Sequence, residues 1–435
     1  MFLWRKLIFV VAMCFTLGLS QNASAAGSGG LRNEAPDAGA LGKGSAFVGE
    51  ANRASAVYYN PAGLTQLKSK EVSGGFACFF PMADYENTSG EETQMRRQTF
   101  LIPHFYAVLP MDSSKFVLGF GATSYFGLGT YWAEDSYSRY VDTKSDMQNK
   151  DFMLTAAYKA ADKLSLGVSV DIDDSNVSLN KKLLQIGQGD GNFQLKGKSI
   201  GWGYRLSTLY KFNDQNQAGL MYRSTIRHKY HGKAYLDDLQ HGAGVTDYST
   251  FFGGGGSSYE TEVSEKFVLP QSMVIGYSFK PTSKWTFNMD VEWMDWSSVK
   301  QDLINWESET DPTRLAILNN GNPVARDWRD VWSQAIGAEY AMTDCFRLRG
   351  GYFHHQTPIP EPNFQNNLPD SNTNGITTGF GWDMTKALTF DFAYVGIIFQ
   401  PRKVTNDVGS ASGASINGKY RQFVNLFFMT LSCKF

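Results

Sequence analysis

Apolar and polar residues alternate along several stretches of this chain. Leu164, Leu166, Val168, Val170 and Ile172 share one face, and Ser165, Gly167, Ser169 and Asp171 share the other. Trp285, Phe287, Met289, Val291 and Trp293 oppose Thr286, Asn288, Asp290 and Glu292 in the same way, and Phe390, Phe392 and Tyr394 oppose Asp391 and Ala393. Period two over about eight or nine residues is the mark of a strand with one apolar and one polar face. About fourteen such strands are predicted, beginning near Glu71, Thr99, Lys115, Asp151, Lys163, Lys198, Gln215, Phe267, Lys284, Val331, Cys345, Asn374, Ala387 and Arg421. The connections alternate strictly between short turns, such as Ala161-Asp162, Asn213-Asp214 and Met384-Thr385-Lys386, and long ones over 81–98, 125–150, 174–197, 228–266, 297–330, 355–373 and 400–420. A sandwich has no reason to sort its loops by length. An even number of strands with short turns at one end and long loops at the other predicts an all-β, antiparallel transmembrane barrel of the outer-membrane kind. The last strand agrees: Phe427, Met429, Leu431, Cys433 and Phe435 make one apolar face that ends in a terminal aromatic. Such an ending is what bacterial barrel-assembly machinery reads, so that machinery is an expected partner through Phe435, together with outer-membrane lipid.

The N-terminus reads as an address. Arg5 and Lys6 precede a mostly apolar run from Leu7 to Leu19, and Ala23-Ser24-Ala25 follows as a small-x-small cleavage pattern. Residues 1–25 are therefore read as a secretory signal peptide, too short to span a membrane, leaving a mature chain that starts near Ala26. No later stretch is apolar enough for a spanning helix. Aromatics at 14% and 43 glycines fit a membrane barrel, and a net charge of −2 gives no basic excess for nucleic acid. Cys78, Cys345 and Cys433 remain after cleavage, an odd count that leaves at least one unpaired. In a barrel, Cys78 lies near the outer end of the first strand and Cys433 near the inner end of the last. They are too far apart for a disulfide.

The alternation turns Arg205, Arg223, Asp290, Glu292, Glu339, Arg347 and Arg349 toward the lumen. Most such residues pair across strands. One or two arginines left over offer a forked pair of donors to an anionic ligand headgroup, and Arg205 and Arg223 are the candidates, subject to neutralisation by Asp290 or Glu292. His228, His231 and His241 fall in one expected loop with no other ligand pattern, so no metal site is assigned. No nucleophile elbow, P-loop or HExxH pattern is present. The chain is read as a non-enzyme without cofactor.

Residues 27–68 do not read as wall strands. They contain Gly39-Ala40-Leu41-Gly42-Lys43-Gly44 and Ala56-Val57-Tyr58-Tyr59-Asn60-Pro61-Ala62-Gly63-Leu64. This region resembles the N-terminal part of the FadL/TodX family of outer-membrane transporters for hydrophobic compounds, with Asn60-Pro61-Ala62 as the most specific match. Ser124-Tyr125-Phe126-Gly127-Leu128-Gly129-Thr130, Tyr222-Arg223-Ser224, Leu269-Pro270-Gln271-Ser272, Asp290-Val291-Glu292-Trp293 and Gln356-Thr357-Pro358-Ile359-Pro360 extend the resemblance over nearly the whole mature chain. It implies a fourteen-stranded barrel (70–435) with an N-terminal hatch (26–69) inside its lumen. It implies a hydrophobic groove between long extracellular loops, a second pocket in the lumen, and a lateral route opened by a hatch shift and a kink in the third strand. On this reading Asn60, Pro61 and Ala62 gate the hatch or anchor it as a turn, Gly119 and Gly121 mark the kink or serve barrel twist or packing against the hatch, and Phe126, Leu128, Tyr131 and Trp132 line the groove or form an aromatic girdle at the outer interface.

The function expected is passive uptake of long-chain fatty acids or similar hydrophobic molecules by a monomer. An aromatic-hydrocarbon importer is the alternative within the class, and a surface adhesin or receptor using 228–266 and 297–330 the alternative outside it. A fatty acid carries a carboxylate and a monoaromatic does not, so the two lumenal arginines favour the acid.

Overall fold

A computed structural model of the chain describes residues 29–34, 37–111, 115–254 and 256–435. The signal-peptide segment lies outside the described residues. Fourteen antiparallel strands close into a barrel. They are β1 (Glu71–Asn87), β2 (Phe100–Pro110), β3 (Phe116–Thr123, resuming as Gly127–Tyr131), β4 (Lys144–Lys159), β5 (Leu164–Leu183), β6 (Gly191–Lys211), β7 (Asn216–Arg223, resuming as Ile226–Asp237), β8 (Ser258–Leu269, resuming as Ser272–Phe279), β9 (Trp285–Met294), β10 (Val331–Ala341), β11 (Phe346–His355), β12 (Thr373–Asp383), β13 (Leu388–Phe399) and β14 (Gly418–Lys434). The seam is complete: β1 pairs with β14 from Glu71 opposite Lys434 to Asn87 opposite Gly418. Closure pairs the wall strands with one another and leaves the barrel no free edge, as hydrocarbon demands. No helix among the described residues is long and apolar enough to cross a membrane.

The burial pattern is that of a protein turned toward lipid. Val168, Val170 and Ile172 of β5 are 39–46% exposed, while Ser169, Asp171 and Asp173 between them are fully buried. The apolar face looks outward and the polar face inward. Cys78 stands opposite Phe427 and Cys433 opposite Val72, so the register keeps these two cysteines apart.

Two expected loops are strands. The ladder of β5 and β6 runs on to Leu183 opposite Gly191, and that of β7 and β8 to Asp237 opposite Ser258. The stretches 174–197 and 228–266 are therefore mostly tall hairpins, with His228 and His231 on a strand. Their outward positions, such as Asn176, Ser178, Lys196 and Lys198, have passed beyond the lipid. The hydrophobic alternation fades there although the ladder does not.

The described N-terminal residues fill the lumen. Helix α1 (Ala38–Leu41) is capped by the Asp37 carboxylate, which accepts from the amides of Gly39 and Ala40 at 2.6 and 3.2 Å. Helix α2 (Ala56–Tyr59) leads into a 3₁₀ turn over Pro61–Gln66. Glycines in the wall let this hatch approach: a Cβ at Gly337 would stand 2.0 Å from the Lys43 carbonyl oxygen, and one at Gly219 would stand 2.3 Å from that of Val48.

The outward face gives a graded test. Val170→Lys, in the apolar band, is expected to lower folding free energy by about 2–4 kcal/mol, and Asn176→Lys, past it on the same strand, by about 0–1 kcal/mol. Denaturant titration in lipid vesicles measures both.

Candidate functional site

The hatch is fixed by its own motif. Asn60 caps the 3₁₀ turn by accepting from the Ala62 amide at 3.1 Å, and Pro61 supplies the preset first position. The Asn60 amide nitrogen donates to Val48 O at 2.9 Å within the hatch and to Thr208 O at 3.1 Å in β6. The Ala62 amide also donates to the Ser207 hydroxyl at 2.9 Å. One side chain thus ties the turn, the hatch and the wall together.

Buried charge ties the hatch to the far wall. Arg53 pairs with Asp391 of β13, which also takes Arg349 at 2.6 Å. Lys43 pairs with Glu50, whose carboxylate accepts from Asn288 at 2.6 Å. Asp290 accepts the amides of Phe47 and Val48 at 2.8 and 2.9 Å. Asp290 is therefore engaged by hatch backbone, and Glu292 by Arg32 and the Tyr125 hydroxyl. Neither neutralises the two candidate arginines. Arg205 pairs with Asp171 at 2.7 Å and donates to Tyr58 O at 2.7 Å, and Arg223 pairs with Asp151 at 3.1 Å. Their planes lie over the rings of Tyr58 and Tyr125, at 4.9 and 4.1 Å. Nε of Arg223 also lies 3.9 Å from Asp171, and Nη2 of Arg205 and Nη1 of Arg223 make no hydrogen bond. Both arginines line a small lumen cavity of about 70 Å³, with Tyr58, Tyr59, Tyr125, Met221 and Val274 supplying apolar wall.

A second, outer cleft of about 80 Å³ is lined by Leu31, Leu128, Met147, Val177, Tyr230, Phe267 and Leu368, among others. The two spaces meet at a small partition. The third strand leaves the wall after Thr123, and its next residues turn inward to pair with the N-terminal segment. The Asn33 amide donates to Tyr125 O at 2.7 Å, and the Gly127 amide to Leu31 O at 2.9 Å, around a bridge of Arg32 with Phe126. Leu31 and Leu128 face the outer cleft, Arg32 and Tyr125 the lumen cavity.

Residues 17–435 match the family described as outer membrane protein transport protein (OMPP1/FadL/TodX). The chain belongs to that family. A putative outer membrane protein of Neisseria meningitidis is 23% identical over 434 residues, covering 90% of this chain and 91% of that protein. A long-chain fatty acid transport protein of Escherichia coli is 23% identical over 406 residues, covering 85% and 87%. Among solved structures, a FadL homologue of Pseudomonas aeruginosa superposes with a TM-score of 0.79 at 16% identity, covering 93% of this chain and all (100%) of that one. The toluene transporter TbuX of Ralstonia pickettii gives 0.69 at 18%, covering 93% and 99%. Both likenesses are of fold. This FadL/TodX protein is an outer-membrane transport channel, not an enzyme.

The departure of β3 from the wall falls at Ser124–Phe126. The ladder is unbroken across Gly119 and Gly121, which pair with Val108 and Tyr106 on one side and with Thr155 and Met153 on the other. Their missing side chains make room for Val57 of the hatch, which a Cβ would meet at 2.7–2.8 Å. Above Phe105, β2 has ladder partners only on β1, so a window stands between Phe100–His104 and the inturned residues. The Phe100 ring closes on Gly129 there, 2.4 Å from where a Cβ would be. Of the four expected groove residues, Leu128 lines the outer cleft and Phe126 is buried beside Trp296 and Arg223. Tyr131 stacks on Phe100 instead, and Trp132 donates to Asn366 O at 3.0 Å beneath the loop after β11. Sequence reasoning missed Leu31, Arg32 and the acidic partners Asp151 and Asp171. The last two stand on polar faces of alternating strands, and that was their signal. Among the described residues no His, Cys, Asp and Glu group is placed to hold a metal.

Asp370, in the loop after β11, holds the N-terminal segment from outside. It accepts from the Gly30 amide at 2.9 Å and the Thr357 hydroxyl at 2.7 Å, and burial lifts its carboxyl to about 6. The folded loop keeps this proton where an unfolded one releases it. Its contribution to stability is full below the ordinary carboxylate range and is lost as pH rises through about 6. Proteolytic nicking of 356–372 is expected to increase across that window, and Asp370→Asn to flatten the dependence. A second expectation concerns the motif. Asn60→Ala removes a cap and strands two buried carbonyls, lowering the local opening free energy of the 3₁₀ turn by about 2–4 kcal/mol. Hydrogen exchange of the Gly63 and Leu67 amides reads the loss.

Proposed function

We propose that this FadL/TodX protein takes up long-chain fatty acids, or acids of similar shape, without energy coupling. The observation that carries the reading is the pair Arg205 and Arg223. Each is already charge-balanced by an aspartate, yet each keeps free N–H donors beside a cavity with aromatic and aliphatic walls. A carboxylate fits the donors and an acyl chain the walls, whereas a water-filled pore gives an oily solute no advantage. The name of the Escherichia coli relative supports the same substrate class. On this reading the ligand collects in the outer cleft and passes the partition of Leu31–Asn33 against Tyr125–Gly127. It rests in the lumen cavity and leaves sideways through the window between β2 and β3. Asn60, Pro61 and Ala62 are the anchor on which the hatch shifts, and Gly119 and Gly121 carry the shift of Val57 to the wall strand beside the window.

The test is growth on oleate of a bacterium lacking its own fatty-acid importer. The intact chain is expected to restore growth. Arg205→Lys with Arg223→Lys keeps both ion pairs but removes the spare fork, and uptake is expected to fall about tenfold. Absence of growth with a correctly inserted barrel overturns the fatty-acid reading. Toluene uptake by the same cells would then move the chain to the hydrocarbon branch, the activity named for the Ralstonia pickettii structure.

A further inference from the structure

The outer surface of the tall hairpins carries a feature that cargo transport does not use. On β6 the outward positions run Tyr210, Thr208, Leu206, Tyr204, Trp202 and Ile200, and then turn abruptly to Lys198 and Lys196. Ile200 and Trp202 are 74% and 72% exposed. From Tyr210 to Ile200 the strand climbs roughly 25 Å once its tilt is allowed for, the height of the apolar band of an outer-membrane barrel. Lys198 is thus the first residue above the hydrocarbon on the extracellular side, where lipid headgroups lie.

At this height the ladder sets like charges against each other. Lys196 of β6 stands directly opposite Lys233 of β7, and Lys229 of β7 directly opposite Lys266 of β8. Directly opposed like charges destabilise a sheet, and the barrel holds two such pairs side by side. The nearby acids relieve only Lys233, which Glu260 and Glu262 of β8 flank. Asp146 is taken by the Tyr131 hydroxyl and Lys144, Asp174 by Lys150 at 3.8 Å, and Glu260 by Lys233 at 2.7 Å. Glu262 stands opposite Lys233 alone. Lys196, Lys198, Lys229 and Lys266 make no ion pair among the described residues. Lys196, Lys198, Lys233, Lys144, His231 and Tyr235, with Asp146 as the one acid, edge a groove of about 480 Å³ on this outer surface. The surface is local. On the far side of the barrel, at the same end, Arg421 is matched by Glu86 and Glu92.

We propose that this groove is a binding site for the phosphate-bearing headgroup of an outer-leaflet glycolipid. The phosphate sits in the groove against Lys196 and Lys198, which hold no acid, with Lys229 and Lys266 adding positive charge beside it, while the acyl chains lie down the wall over Ile200 and Trp202. A phosphate fits because lysines are compact donors to it. A lipid fits because the apolar strip begins one outward position below Lys198. The site lies outside the barrel and is independent of what passes through it.

The experiment is native mass spectrometry of the full-length barrel in neutral detergent. It is titrated with a bisphosphorylated outer-leaflet glycolipid, with its dephosphorylated form, and with inorganic phosphate as competitor. The bisphosphorylated lipid is expected to be retained about tenfold better than the dephosphorylated one, and the variant Lys196→Gln, Lys198→Gln, Lys229→Gln, Lys233→Gln to lose that preference. Heat-modifiable gel migration verifies that the variant barrel is folded, and the comparison of the two lipids on the unaltered chain needs no variant. Equal retention of the two lipids overturns the proposal. So does a preference unchanged in the variant, and so does displacement of the lipid by inorganic phosphate at equal concentration, which would assign the groove to a free anion.

Discussion

Everything in this structure follows from the need to pair backbone groups where no water can reach them. Hydrocarbon outside the wall obliges the strands to close, and β1 meets β14 along its whole length. Closure encloses a polar lumen, and the lumen obliges the chain to fill it, which the hatch does. The one place where the wall strand turns away, Ser124–Phe126, meets the same obligation by a different partner. Its backbone pairs with Leu31–Asn33 instead of with β2. A single solution to the pairing requirement therefore creates the partition between outer cleft and lumen cavity, and the window in the wall beside it.

The lumen shows how buried charge can be both neutral and available. A buried arginine without a partner is costly, so Arg205 and Arg223 each hold an aspartate. A guanidinium has more donors than one carboxylate uses. The remainder is buried beside the cavity, and aromatic rings beneath the guanidinium planes hold the arginines in place. The hatch is retained by the same kind of contact at Arg53–Asp391 and Lys43–Glu50. Such pairs define a geometry more than they add stability, and here they hold the N-terminal segment in one register inside the lumen.

Outside the barrel the pairing rule and the membrane part company. The ladders of β5 through β8 continue well above the lipid band, because strands that no longer need an apolar face can still pair. Their outward positions are free to carry charge, and it is there that the opposed lysines are found.

The alternation determined the fold class, the strand count, the direction each side chain faces and the end of the barrel with long connections. The motif around Asn60-Pro61-Ala62 pointed to a hatch, and the inward arginines to a polar lumen. Three things had to wait for the tertiary structure. The hairpins over 174–197 and 228–266 were hidden because apolar alternation reports contact with lipid, not strand pairing itself. The break at Ser124–Phe126, rather than at the glycines before it, depends on a partner some ninety residues earlier in the chain. The partners of Arg205 and Arg223 depend on which strands stand beside them and on what the hatch brings opposite. A period of two says on which side of the wall a residue lies. It carries no information about what faces that residue across the lumen, because that is decided by register and by segments far away in sequence.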